Sequence, residues 1–321
     1  MEKKFVTEGV LSANTPTMNT DPINPQLLAR LAKLPQVLAQ SVRGQPEAIT
    51  TLTDIVEARE REMYPRRGCR SAILLVGPTG SGKTEMAKAL AKALYEEDRL
   101  MRIDVSEFAH SNSIELALAE GPDRLGRFSR AHARVPAGIW LLDEIEKGCA
   151  EFKDLLIQMI YEGEVTLASG RTLDFSNIYI LATSNLGSRE ILEREHLPFE
   201  SLENHVLEQM EAWLRPELLA RFDALIVFRP LEWDTQKEIV IKSLDELVVW
   251  HRERHQREIT YDGDIVEFLL ARGFSPRYGA RPLLRTINRM VSLAILHALR
   301  NRASGTGHLV IHGEQLRINK P

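Results

Sequence analysis

Up to about residue 230, short apolar runs alternate with longer amphipathic stretches; beyond it the pattern is helical almost throughout. Five runs have the length and composition of strands: Ala72–Val76, Met101–Val105, Ile139–Leu142, Ile178–Thr183 and Ala224–Phe228. Ile139–Leu142 has no polar position at all, which is what a parallel strand buried on both faces requires. Leu27, Leu28, Leu31, Leu34, Val37 and Leu38 recur at helical spacing between Gln26 and Gln40, with Pro35 as an expected interruption. Ile49, Leu52, Ile55 and Val56 mark a helix running to about Glu62, and Phe152, Leu155, Leu156, Met159 and Ile160 mark another. Between residues 109 and 135 the helical pattern is broken by Gly121-Pro122-Asp123 and Gly126. Strands that alternate with helices predict an α/β fold, a parallel sheet with flanking helices. From Asp234 to about Arg300 helices dominate, and Leu309–Ile311 with Leu316–Ile318, around the turn His312–Gln315, read as a β-hairpin. The expected division is therefore residues 1–40 as a flexible arm and helix, 41–230 as a large domain, and 231–321 as a small, mostly helical domain ending in the hairpin.

The first strand runs straight into Gly77-Pro78-Thr79-Gly80-Ser81-Gly82-Lys83-Thr84, and a helix-forming stretch from Glu85 to Leu94 follows. Strand, glycine-rich turn and helix, with Gly77, Gly82, Lys83 and Thr84 at this spacing, make a phosphate-binding loop. Glycines let backbone N–H groups turn onto oxygen anions, and the helix N-terminus adds partial positive charge. Lys83 is expected to reach the β- and γ-phosphates of ATP, and the Thr84 hydroxyl to hold Mg²⁺. The cofactors expected on this reading are ATP and Mg²⁺.

In an open parallel sheet the ligand sits beyond the carboxyl ends of the strands. Asp143-Glu144 ends one strand and Asn185 another. Asp143 suits Mg²⁺, and Glu144 suits the orientation of an attacking water. Asn185 suits either a hydrogen bond to that water or the γ-phosphate, or a turn before Leu186-Gly187.

Composition narrows the partners. A net charge of −4 gives no reason to expect nucleic acid. Cys69 and Cys149 form no metal-ligand spacing and suit a reducing compartment. The N-terminus has no signal-like apolar core and no run approaches the length of a membrane span, so the expectation is a cytoplasmic protein without membrane insertion.

From Gly44-Gln45, the chain carries in order GPTGSGKTEMAKALA from Gly77, RIDVSEF from Arg102, LLDEIEK from Leu141, SGRTLDF from Ser169, TSNLGS from Thr183, LRPELLARFD from Leu214 and YGARPL from Tyr278. In these motifs it resembles the second nucleotide-binding module of the Clp disaggregases, a clade of AAA+ P-loop ATPases. The resemblance covers about Val42 to the C-terminus. It implies an ATP hydrolase with a small C-terminal lid domain, working as a homo-oligomer of hexameric type. It also implies roles that local chemistry does not give. Arg221 matches the arginine finger that enters a neighbouring subunit's site, and Arg281 matches the second sensor arginine. Val42 and Arg43 fall where the family contacts adenine. The implied activity is ATP-driven remodelling or disassembly of a specific protein partner.

The departures point elsewhere. Relatives carry a glycine–aromatic–aliphatic–glycine loop that grips substrate; the corresponding stretch here, Leu118 to Phe128, is shorter and lacks it. Phe128 is expected in the core. The segment Gly163–Gly170 is a second, ordinary pore segment. The segment after Asn185 lacks the tripeptide used by protease-docking relatives, so no peptidase partner is expected. An alternative is an ATP-gated assembly factor or scaffold whose nucleotide state controls oligomerisation and recruitment. Of the remaining constellations, His251 and His255 are expected on a solvated helix face, and Arg66-Arg67 with Arg70 in a solvated loop.

Overall fold

The computed structural model describes residues 24–319 apart from 64, 66, 96–98, 122–123, 195–196, 257 and 301–305. Five strands form one wholly parallel sheet in the order Leu100–Asp104, Gly138–Asp143, Ile178–Ser184, Ser71–Val76 and Ala224–Val227. The register sets Asp104 beside Asp143 and Val76 beside Ser184, so these strands end together and form one rim. All five strands match the apolar runs of the sequence to within one or two residues.

Alternation along the inner strands explains why the runs are so nearly apolar throughout. Leu74, Val76, Trp140, Leu142 and Ile180 face one core with the helices Ser111–Leu118, Arg127–Arg134, Ala150–Ile157 and Phe199–Trp213. Ile73, Leu75, Ile139, Leu141, Tyr179 and Leu181 face a second core with the helices Pro25–Ser41, Pro46–Glu60 and Lys83–Leu94. Each strand residue is thus removed from water on whichever side it points. Phe128 is fully buried between Phe108 and Trp140, as the sequence predicts.

Several expectations change. The first helix does not stop at Pro35; it continues from Pro25 to Ser41. Leu31, Leu34 and Leu38 on both sides of the proline are buried, and that packing outweighs the one lost backbone hydrogen bond. The second helix ends at Glu60 because Arg61 closes onto Glu57 and Arg59 and Glu62 turns left-handed. The expected arm lies outside the described residues except for its last two positions. The terminal hairpin, Gly307–His312 with Gln315–Asn319, gains a third strand, Ile259–Thr260, which pairs in parallel with the first. Its Leu309 and Leu316 pack with Val240, Leu244, Leu269, Leu270, Leu283 and Ile287 in a third core. That core is drawn from the helices Trp233–His255, Gly263–Gly273 and Ala280–Arg300.

Two residues read as solvated are not, His251 and Arg70, while their neighbours His255 and Arg67 are exposed as expected. His251 is 6% exposed and stacks on His255, with ring centroids 5.3 Å apart. The long helix turns this side inward, which charge composition alone does not reveal. Of the basic loop, Arg66 lies outside the described residues. Arg70 reaches Glu60 with two hydrogen bonds, of 2.7 and 2.5 Å, and Tyr179 donates a third to Glu60 at 2.6 Å. Burial and the Glu60 charge together push the Tyr179 hydroxyl well above the ordinary tyrosine range. Glu60 joins the end of the second helix to the sheet through these contacts.

Truncating Glu60 strands a guanidinium and a phenol in a nearly dry site. The variant Glu60→Ala is expected to lose about 3 kcal/mol of stability, measured as a lower denaturant midpoint.

Candidate nucleotide-binding site

Beyond the carboxyl ends of the strands lies a cleft of about 620 Å³. Thr79 to Glu85, Asp143, Glu144, Thr183 and Asn185 line its floor; Ser41, Val42 and Arg43 line one wall; Leu231, Ile239, Lys242, Ala280, Arg281 and Leu284 line another. Of the residues singled out from the sequence, Val42, Arg43, Thr79 to Thr84, Asp143, Glu144, Asn185 and Arg281 line this cleft. Arg221 is not among them. It sits outside the cleft, with its guanidinium 3.9 Å from the centre of the Tyr161 ring.

The loop is a sharp reversal. Gly77 holds the strand rim through an N–H donated to Ser184 O at 3.2 Å. Gly80 and Gly82 have φ of 78° and 111°, a region that side chains rarely enter. Gly82 is the N-cap of the helix that starts at Lys83. The Lys83 ammonium turns back into the loop and donates to Gly77 O at 2.6 Å, Pro78 O at 2.9 Å and Asn185 Oδ1 at 3.1 Å. Burial pulls its pKa down to about 8; Glu146, Asp143 and Glu144 oppose the fall and Arg281 adds to it. Ser81 Oγ is buried with no hydrogen-bond partner among the described residues. A concave backbone, a charged lysine held only by neutral oxygens and an unused hydroxyl together fit the phosphates of a nucleotide.

The acidic side is equally organised. Thr183 Oγ1 donates to Asp143 Oδ1 at 2.8 Å and accepts from the Glu144 N–H at 3.1 Å. Glu144 has φ 61°, one of three non-glycine residues with positive φ among those described. Such a conformation costs on the order of 1–3 kcal/mol, and it aims the side chain away from the strand direction. Asn185 Nδ2 donates to Glu144 Oε1 at 3.2 Å, and Lys147 forms an ion pair with Glu144. Asn185 thus bridges Lys83 and Glu144, while its own N–H is fixed by Glu146 Oε1 at 3.1 Å. Asp143 and Thr84 both line the cleft, and a carboxylate and a hydroxyl are the hard oxygen donors that Mg²⁺ takes.

Three structural parts escaped the sequence reading. Thr183 is one, an ordinary strand-end threonine until Asp143 is placed beside it. Gln45 is another: it is 2% exposed and donates to Ser81 O and Arg229 O while accepting from the Arg229 N–H, which stitches the N-terminal wall to the phosphate loop. The third is the seam with the last helix, whose Ala280 N–H donates to Gly80 O at 3.1 Å.

Comparison with known proteins follows this geometry. Residues 70–225 match the family described as AAA domain (Cdc48 subfamily), and residues 231–308 match the C-terminal, D2-small domain, of ClpB protein. The chain belongs to the AAA+ family, in its ClpB-type branch. This ClpB-type chain is 36% identical over 296 residues to the chaperone protein ClpB of Bacillus cereus, covering 89% of this chain and 34% of the relative. It is 36% identical over 281 residues to ClpB 1 of Synechococcus elongatus, covering 85% and 32%. It therefore spans about a third of the length of these relatives. Among solved structures it resembles the S. cerevisiae Hsp104–ADP complex, with a TM-score of 0.80 at 26% identity over 93% of this chain and 53% of that one. A closed-state reconstruction of Hsp104 with ATPγS and FITC-casein gives 0.82 at 25% identity, over 92% and 52%.

A Cβ at Gly80 would collide with the carbonyl oxygen of Tyr278, besides forcing φ 78° on an L-residue. The variant Gly80→Ala is expected to lose about 2 kcal/mol or more, read from chemical denaturation, with the Ala280 contact the first to loosen in hydrogen exchange.

Proposed function

We propose that this chain hydrolyses ATP within a homo-oligomeric ring and uses the cycle to remodel or disassemble a specific protein partner. One observation carries the reading. Lys83, Asp143, Glu144, Asn185 and Arg281 meet in a single cleft, whereas Arg221, the remaining candidate, lies outside it on Tyr161. An arginine that serves phosphoryl transfer from outside its own cleft must serve a neighbour's.

Each residue has a definable task. The loop N–H groups and Lys83 bind and orient the phosphates. Thr84 and Asp143 would hold Mg²⁺, which neutralises phosphate charge when bound. Glu144, held by Asn185 and backbone-fixed at Thr183, orients the attacking water and takes its proton. Arg281 and a neighbour's Arg221 spread charge on the transferred phosphoryl group. Val42 and Arg43 face the base. Residues 41–230 form the large ATP-binding domain and 231–321 the lid, and the helix Pro25–Ser41 packs onto the large domain through Leu31, Leu34 and Leu38. Among the described residues no helix is long and apolar enough to cross a membrane; a cytoplasmic site of action is the reading that goes with two cysteines at no metal-ligand spacing.

A second reading, an assembly factor whose nucleotide state controls recruitment, is favoured by one feature. The stretch Leu118–Phe128 holds a single aromatic residue, Phe128, and it is fully buried. A device without an aromatic grip in this stretch suits displacement of one defined partner better than threading of arbitrary chains.

Lys83→Ala is expected to abolish ATP binding in calorimetry, and Glu144→Gln to bind ATP normally while turnover falls by about 100-fold or more. Unimpaired turnover by Glu144→Gln would remove that residue from its role. Arg221→Ala and Glu144→Gln chains, each inactive alone, are expected to recover part of the hydrolysis when co-assembled, because some interfaces then pair an intact arginine with an intact glutamate. Co-assembly shown by native mass spectrometry with no recovered phosphate release would rule out the shared site.

A further inference from the structure

Asp143 is already satisfied by the protein itself. Its Oδ1 accepts from Thr183 Oγ1 at 2.8 Å, and its Oδ2 accepts from Arg102 Nε at 2.6 Å. The two partners differ in kind. Thr183 is buried in the neighbouring strand and its hydroxyl is also tied to the Glu144 N–H, so it stays in place. Arg102 belongs to Leu100–Asp104, the edge strand of the sheet, and its side chain is 60% exposed although the carboxylate it grips is 9% exposed. It lines the same cleft as the phosphate loop.

We propose that Arg102 and the divalent cation compete for Asp143, so that Arg102 sets how much Mg²⁺ is needed to load nucleotide. This rests on the nucleotide reading of the cleft. A metal ion brought to Oδ2 would stand within a few ångströms of a guanidinium, and the repulsion is strong at a carboxylate so little exposed to water. The two states are mutually exclusive at that oxygen. Arg102 has room to leave, since nothing packs over most of its side chain. It also has somewhere to go: Asp104 lies two residues along the same strand, on the same face, and lines the same cleft. Transfer of the guanidinium from Asp143 to Asp104 conserves its pairing while freeing Oδ2 for the metal. The sheet register, which sets Asp104 directly beside Asp143, places the two carboxylates within one side chain's reach.

The consequence is a threshold. Metal-free nucleotide meets an intact Arg102–Asp143 pair, and metal-loaded nucleotide must break it. Arg102 is thus a positioning residue that acts through Asp143. The measurement is ADP binding by calorimetry, repeated across a Mg²⁺ series and in EDTA, with the full chain. ADP avoids turnover, and because Mg²⁺ binds free ADP identically in every case, comparison between variants isolates the protein's part. For Arg102→Gln the Mg²⁺ midpoint is expected to fall by about tenfold, with ADP affinity in EDTA within about threefold of the unaltered chain. Arg102→Lys, which keeps the charge, is expected to stay near the unaltered midpoint. An unchanged or raised midpoint in Arg102→Gln overturns the inference, as does loss of ADP binding in EDTA, which would make Arg102 a phosphate ligand. The same midpoint for the Lys and Gln variants also overturns it. If the unaltered chain binds no ADP in either condition, the nucleotide reading falls first and this inference with it.

Discussion

A lysine ammonium 7% exposed to water must be surrounded by oxygen or lose its proton. Around Lys83 that requirement shapes the whole rim of the sheet. Two carbonyls come from the loop itself, which must reverse through left-handed glycines to present them. The third oxygen comes from Asn185, on a strand whose register is fixed against the first. None of these three carries a full negative charge, and burial still depresses the ammonium. The protein thus maintains a cation it does not fully compensate, and phosphate oxygens are the chemistry that would complete it. The left-handed turn at Gly80 and the fixing of Asn185 by Glu146 both support that geometry.

The second wall of the cleft comes from a different part of the chain. Ile239, Lys242, Arg281 and Leu284 belong to helices packed in their own core. They meet the loop at a narrow seam, where Ala280 donates to Gly80 O and Lys242 donates to the carbonyls of Gln40 and Ser41. Glycine at position 80 is needed at that seam for closeness as much as for φ. A rearrangement of phosphate contacts at the loop would therefore be felt directly by the last helix. On the proposed function, that coupling would be a physical route by which chemistry in the cleft moves the last helix.

Charge pairing around the acidic rim follows a related logic. Asp143 and Glu144 are each met by a cation on an exposed, flexible stem, Arg102 and Lys147. The Lys147–Glu144 pair is open to water on both sides and therefore weak, whereas Arg102 is an exposed partner on a carboxylate that is itself buried, so that pair is exchanged from the arginine's side. The Glu60–Arg70–Tyr179 group, by contrast, has its carboxylate and phenol buried and serves to hold a helix end on the sheet. The contrast separates pairs that can be displaced by a ligand from pairs that cannot.

The alternation of apolar runs was enough to predict the parallel sheet, because a strand buried on both faces leaves an unambiguous mark. Glycine spacing pointed to the phosphate loop, and polar residues at strand ends pointed to Asp143, Glu144 and Asn185, because such positions are set by local backbone chemistry. What the sequence left open was decided by contacts between distant segments. Helix through Pro35, burial of His251, the pairing of Arg70 with Glu60 and the third strand at Ile259 all depend on which face another element covers. Thr183, Gln45 and the Arg102–Asp143 pair were invisible for the same reason: their partners are brought close only when the sheet closes. Residue types and spacing determined which groups could bind phosphate; tertiary packing decided which of them touch, since hydrogen bonds and ion pairs act over ångströms and not over sequence.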